Sequence, residues 1–157
     1  MSSTILQLGS GNEFVDIPGW VNTDKEFYNK HIDVAWDLND FPWLPFDNES
    51  FMVIVALDVL EHLKDVIRSL EECHRILMPD GYMRIRVPNG MNYNFQTDLT
   101  HVHPFTKESF DYFIRGTELE KKYGYYSDMR WKLIDFRLDV EEDNLYFCLQ
   151  KDICIII

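Results

Sequence analysis

Residues 50–88 read SFMVIVALDVLEHLKDVIRSLEECHRILMPDGYMRIRVP and contain a strand, a helix and a second strand in outline. The run from Ser50 is apolar and rich in β-branched residues, as a buried strand requires. Val66, Leu70, Cys73 and Leu77 then recur at helical spacing and predict one apolar helix face, which Pro79 and Gly81 bring to an end. YMRIRVP, from Tyr82, alternates apolar and basic residues as the next strand.

Working outward, residues 4–8, about 20–23 and 31–36 are short apolar runs that predict three earlier buried strands. RWKLIDFRLDV and NLYFCLQKDICI predict two closing strands separated by an acidic turn at Glu141–Asn144. Between these groups, NGMNYNFQTDLTHVHPF is too long and irregular for a hairpin turn, and long loops inside compact domains carry function. TKESFDYFIRG follows, with Thr106 three residues before Ser109 and with Phe110 and Phe113 on one side, the outline of a capped helix start. The alternation predicts an α/β fold with a mainly parallel sheet, covered on both faces and closed by an antiparallel pair. Ligands of such sheets sit at the carboxyl ends of the strands, near the switch in strand order.

Length and composition narrow the function. A chain of 157 residues suits one domain, 1–157, and therefore one site. Its 46% hydrophobic and 27% charged residues describe a folded globular protein. A formal net charge of -12 repels phosphate backbones, so nucleic acid is not an expected partner. No stretch approaches the length of a membrane span, and the N-terminus lacks the basic region of a secretion signal. Cys73, Cys148 and Cys154 have no C-x-x-C spacing, so a reducing, cytoplasmic setting is expected. The apolar ICIII at the C-terminus suits a homodimer contact.

The first strand ends in LQLGSGN, where Gly9 and Gly11 let the backbone turn sharply and a ligand approach closely. Asp24 ends the second strand, where a carboxylate accepts both hydroxyls of a ribose or, alternatively, serves as a cap or turn residue. Gly11 and Asp24 are 13 positions apart, against about 20 in dinucleotide folds. Pro18 and Gly19 interrupt this short crossover and leave at most a turn or two of helix. A dinucleotide pyrophosphate depends on that helix N-terminus, whereas a phosphate-free adenosyl ligand does not, so a nicotinamide-dependent oxidoreductase is disfavoured. Asp37, after the third strand, stands where it can accept from an adenine amine with Leu38 beside the ring, or be an ordinary loop carboxylate.

The ordered segments LQLGSGN, VNTD, DLNDFPWLPFDNESF, ALDVLEHL and CHRILMPDGYMRIRVPN resemble the class I S-adenosylmethionine-dependent methyltransferases, in particular the small type-11-like group. The resemblance covers about residues 4–114. It implies a Rossmann-like, seven-stranded sheet of order 3-2-1-4-5-7-6, with the last strand antiparallel and helices on both faces. It implies S-adenosyl-L-methionine as cofactor and methyl transfer to a small-molecule or protein acceptor, with a catalytically degenerate interaction protein as the alternative. Carried over, Leu8, Gly9, Ser10 and Gly11 surround the methionine moiety, Asp24 the ribose, Asp37 and Leu38 the adenine, and Leu57 and Asp58 the sulfonium end. The chain departs from the family pattern in lacking a third glycine, with Glu13 nearby, and in Met52, where an acidic residue is common.

For the acceptor side, the resemblance places His62 at the mouth and Asp98, His101 and His103 over it. His62 or His101 can act as general base near neutral pH; alternatively, His62 ties down a neighbouring loop. Tyr93, Phe95 and Phe105 wall the pocket or anchor the loop. Two histidines two residues apart can share one face of an extended chain, but without a third ligand no metal site is expected.

Overall fold

The computed structural model describes residues 5–27, 29–40 and 44–153. Its seven strands are β1 Ile5–Leu8, β2 Trp20–Asp24, β3 Val34–Ala35, β4 Phe51–Leu57, β5 Leu77–Pro88, β6 Trp131–Asp139 and β7 Asn144–Lys151. They form one sheet of order β3-β2-β1-β4-β5-β7-β6. β3, β2, β1, β4 and β5 pair in parallel, and β7 runs antiparallel between β5 and β6. Sheet order and strand directions agree with the expected fold.

One face of the sheet carries the core. Leu6 is in register with Ile54, Ile54 with Met83 and Met83 with Leu149, and all four are fully buried. The helix α1, Val66–Ile76, covers this row with Leu70, Cys73 and Ile76. Asp65 caps it by accepting from the Arg68 amide at 3.1 Å. The helix stops one residue short of its apolar periodicity, because Leu77 is extended, fully buried and paired with Phe51. Between Leu77 and Tyr82 the strand bulges through Asp80, at φ 58°, and Gly81, where a Cβ would lie 2.9 Å from the Met78 carbonyl.

Two further expectations are corrected. Residues 107–113 form consecutive turns instead of a helix. There the Ser109 hydroxyl accepts from the Thr106 amide, and the chain then pairs with β6, as Trp131 N donates to Phe113 O and Arg115 N to Trp131 O. Tertiary pairing and the burial of Phe110 and Phe113 override the local signal. Two short helices form instead: α2, Tyr93–Thr97, inside the long loop, and α3, Glu118–Tyr123, capped by the Thr117 hydroxyl.

The crossovers leaving β1 and β2 hold no helix among the described residues. The first is pinned by Asn22, whose side chain accepts from Val15 N and donates to Val15 O, both at 3.0 Å, like a missing strand. Among the described residues, loops stand where helices were implied for the second face of the sheet, and a cavity there is lined by strand residues, among them Trp20, Val55, Leu57 and Tyr146. Cys154 and most of the ICIII segment lie outside the described residues.

Candidate active site

The turn after β1 is shaped by its neighbours. Gly9 has φ 55°, and a Cβ on it would lie 2.5 Å from Val59 Cγ2, so side chains are excluded on both conformational and steric grounds. Gly11 repeats the positive φ at 50° with open space around it. Ser10 donates its amide to Thr23 O, which lashes the turn to β2. Asp24 closes the arrangement, accepting from Gly11 N at 2.8 Å and from Lys25 N at 2.7 Å. The carboxylate at the end of β2 therefore does hold the turn, and it also faces a cavity of about 440 Å³.

That cavity brings together Gly9, Asp24, Asp37, Leu38, Asp58 and His62. Sequence reasoning missed Trp36 and Thr100, which line it too. Asp37 keeps one oxygen on the Asn39 amide, which fixes the carboxylate toward the opening. A second cavity of about 270 Å³ meets the first at Gly9 and Asp58 and is lined by Ser10, Gly11, Glu13, Leu57 and Arg86. Leu8 lies in the core and offers the site only its backbone. Together the two spaces fall within the range of small-molecule sites.

Asp58, with φ 53°, is a non-glycine residue held in the left-handed region at the end of β4. Its amide donates to Arg86 O, and Arg86 Nε donates to both Asp58 oxygens at 3.1 and 2.9 Å. Arg86 Nη2 also reaches Glu13 at 3.3 Å, so Glu13, which stands near the missing third glycine, steadies the one guanidinium of this cavity. The hydrogen bonds that Arg86 donates to Asp58 keep the guanidinium still more firmly protonated. The sequence offered Arg86 only as one basic position in an alternating strand.

Across the mouth, the loop after β5 is sewn onto residues 61–64. The amides of Val102 and His103 donate to Glu61 O at 2.8 and 3.2 Å. His62 Nδ1 lies 3.0 Å from the Thr100 hydroxyl, which itself donates to Asp98, so the imidazole N–H points at Thr100. His62 both ties the loop and lines the cavity. His101, nearly buried, sets Nδ1 2.9 Å from Phe95 O and stacks on Phe95. Glu61 is fully buried, and neither carboxylate oxygen has a partner. Burial, aided by Asp58 and Asp98, pushes its carboxyl up to about 7 against its own backbone hydrogen bond and Arg86. Asp98 is pulled down by the hydroxyl and amide of Thr100. His103 turns away to the Lys64 carbonyl at 3.4 Å and lines a separate pocket with Tyr112, while Tyr93 is exposed.

A family model described as a methyltransferase domain matches residues 15–85. A Mycolicibacterium smegmatis protein named a probable S-adenosylmethionine-dependent methyltransferase is 36% identical over 62 residues, 40% of this chain and 24% of that protein. The match thus spans about a quarter of the relative's length. A chain from the complex between the Haloferax volcanii Trm112 methyltransferase activator and a methyltransferase superposes with TM-score 0.67 at 15% identity, covering 97% of this chain and 84% of the other. Residues 15–85 thus match a methyltransferase domain, and the chain as a whole has the fold of S-adenosylmethionine-dependent methyltransferases.

The cofactor of that family has structural counterparts here. Ser10 Oγ and Gln7 Oε1 are buried without hydrogen-bond partners beside a turn where Gly9 lies too close to Val59 to carry a Cβ. These are features of a cradle for a polar ligand. The fold alone does not fix the reaction, since the SpnF [4+2]-cyclase has the same architecture with TM-score 0.63 at 10% identity, covering 97% of this chain and 76% of that chain. No described helix is long and apolar enough to cross a membrane.

Proposed function

We propose that this chain, acting as one domain, catalyses S-adenosylmethionine-dependent methyl transfer to a small-molecule or protein acceptor in a reducing, cytoplasmic setting. The observation that carries the reading is the pair of cavities meeting at Gly9 and Asp58, which joins the glycine turn, two strand-end carboxylates and a guanidinium in one groove. Gly9, Ser10 and Gly11, with the Leu8 backbone, border the methionine end, and Arg86 is the cation available to its carboxylate. Asp24 takes the ribose hydroxyls on the lone pairs that Gly11 and Lys25 leave open. Trp36, Asp37 and Leu38 receive the adenine, and Leu57 and Asp58 flank the sulfonium end.

The bound cofactor supplies a methyl group already activated on a sulfonium. Catalysis by the chain is then chiefly alignment of the acceptor and exclusion of water. The acceptor enters past Tyr93 and Asp98, with His103 fastening the same loop through Lys64. His62 or His101 takes the acceptor's proton on Nε2, the nitrogen left free when Nδ1 is engaged.

Calorimetry with S-adenosylhomocysteine tests this reading. Micromolar affinity is expected, and Asp24→Ala should weaken it at least tenfold, about 1.4 kcal/mol. An unchanged affinity in that variant removes Asp24 from the site.

The second reading, a methyltransferase-fold interaction protein with a decayed cofactor site, is favoured by the strand-lined cavity on the uncovered sheet face. It predicts no binding of S-adenosylhomocysteine at millimolar concentration, together with self-association or a stable protein complex in sedimentation.

A further inference from the structure

We propose that Glu61, His62 and His101 bind one divalent transition-metal ion at the acceptor mouth. One ligand atom from each of the three lies within 4.8 Å of the other two. Nε2 of His62 and Nε2 of His101 each stand 4.0 Å from the same oxygen, Glu61 Oε1. At that separation neither imidazole hydrogen-bonds the carboxylate, so the three groups converge without satisfying one another.

Both histidines are oriented as metal ligands are. Each commits Nδ1 to an oxygen of the loop, His101 to Phe95 O at 2.9 Å and His62 to the Thr100 hydroxyl at 3.0 Å. This fixes the tautomer that leaves the Nε2 lone pair facing Glu61, the outer-shell arrangement found around metal-bound imidazoles. Asp98 Oδ2, 3.7 Å from His101 Nε2, is placed to complete or support the ligand set.

The second, independent observation is Glu61 itself. Its side chain is 1% exposed, and both oxygens lack a hydrogen-bond partner. Among the described residues no other carboxylate is buried with both oxygens unpartnered. Asp58 and Asp98 add negative charge around it, but Arg86 and Thr100 already hold those two, so a cation is the species that would satisfy Glu61.

Two imidazoles and a carboxylate are a mixed nitrogen and oxygen donor set, which suits a transition metal better than magnesium or calcium with their all-oxygen preference. Metal bonds of about 2.0–2.1 Å bring tetrahedral ligands to roughly 3.4 Å apart, a closure of about half an ångström for the 4.0 Å contacts and of up to about 1.4 Å for the widest pair, within 4.8 Å. Because His62 and Thr100 also line the larger cavity, the open coordination positions face the acceptor. This part of the inference rests on the methyltransferase reading above, and it assigns the acceptor to compounds that present a coordinating hydroxyl or carboxylate oxygen. With metal bound, the ion would orient that oxygen and lower its pKa so that the proton passes to solvent, and the histidine base proposed above would operate only in the metal-free chain.

The probe is cobalt(II), added to the chelator-treated full chain and read by its visible d–d absorption. The expected result is one cobalt per chain, no thiolate charge-transfer band, and a loss of affinity of at least about tenfold in both Glu61→Gln and His101→Ala. S-adenosylhomocysteine calorimetry on the same variants reports whether each remains folded and competent. Absence of the band, a thiolate band from Cys148, or a band retained in Glu61→Gln overturns the metal site. Cobalt binding without S-adenosylhomocysteine binding keeps the site and removes the cofactor reading; S-adenosylhomocysteine binding without cobalt does the reverse.

Discussion

Asp24 and Glu61 are both buried carboxylates at the carboxyl edge of the sheet, yet they are partnered in opposite ways. Asp24 accepts two backbone amides from residues of its own neighbourhood and is held ready for a neutral, hydroxyl-bearing ligand. Glu61 accepts none and is pushed up to about 7, while two histidine nitrogens wait at 4.0 Å. One end of the cleft is a finished scaffold; the other carries a buried carboxyl without a hydrogen-bond partner. The difference separates the parts of the site that shape a ligand from the part that awaits a proton or a cation.

The largest effect that tests this contrast is the pH dependence of stability in chelator. Glu61 has a folded pKa of about 7 against 4.5 for the unfolded chain, so the folded state binds more protons between those values. Stability from protonated Glu61 is therefore full below about 4.5 and is lost as pH rises to about 7. Relative to Glu61→Gln, the wild type should lose on the order of 3 kcal/mol across that window in denaturant titrations. Parallel curves for the two proteins would place Glu61 in a solvated environment and erase the contrast.

Next in size is Gly9→Ala, which forces a Cβ toward Val59 at a positive φ. It should lower S-adenosylhomocysteine affinity about a hundredfold, near 2.7 kcal/mol, by calorimetry. Retained affinity would mean that the turn is a corner and not a cradle. Thr117→Ala, at the remote cap of α3, should cost about 1 kcal/mol in thermal or denaturant unfolding while leaving ligand affinity unchanged. If affinity falls as well, the first two effects reduce to general destabilisation. The smallest expected change is His103→Ala, which should alter cobalt affinity by no more than about twofold, ~0.4 kcal/mol, since His103 faces Lys64 and not Glu61. A larger loss would redraw the mouth.

The two ends also differ in how far they could be read from sequence. Gly9, Gly11, Asp24 and Asp37 were legible because each ends or follows its own strand, and a parallel sheet carries such ends to one edge. His62 was legible as a lone titratable group after β4. Glu61 was not, because a glutamate in LEHL reads as a solvated helix-start residue until the amides of Val102 and His103 are found on its carbonyl. Pairing His101 with His103 was a natural reading of an extended HVH segment, but the loop sends the two rings to different partners, Phe95 and Lys64. Residues 106–116 likewise carry a good local helix signal that bridge pairing to Trp131 overrides.

Sequence alone determined the strand inventory, the sheet order through its family resemblance, the glycine turn and the acidic strand ends, because these depend on hydrophobic period and on chemistry placed within a few residues. Tertiary structure alone decided the convergence of Glu61, His62 and His101, the Asp58–Arg86–Glu13 linkage and the loss of helix from one sheet face. Those depend on which segments, 28 to 73 positions apart in the Asp58 and Glu13 contacts with Arg86, the fold brings within a few ångströms. Local periodicity carries no record of such distances.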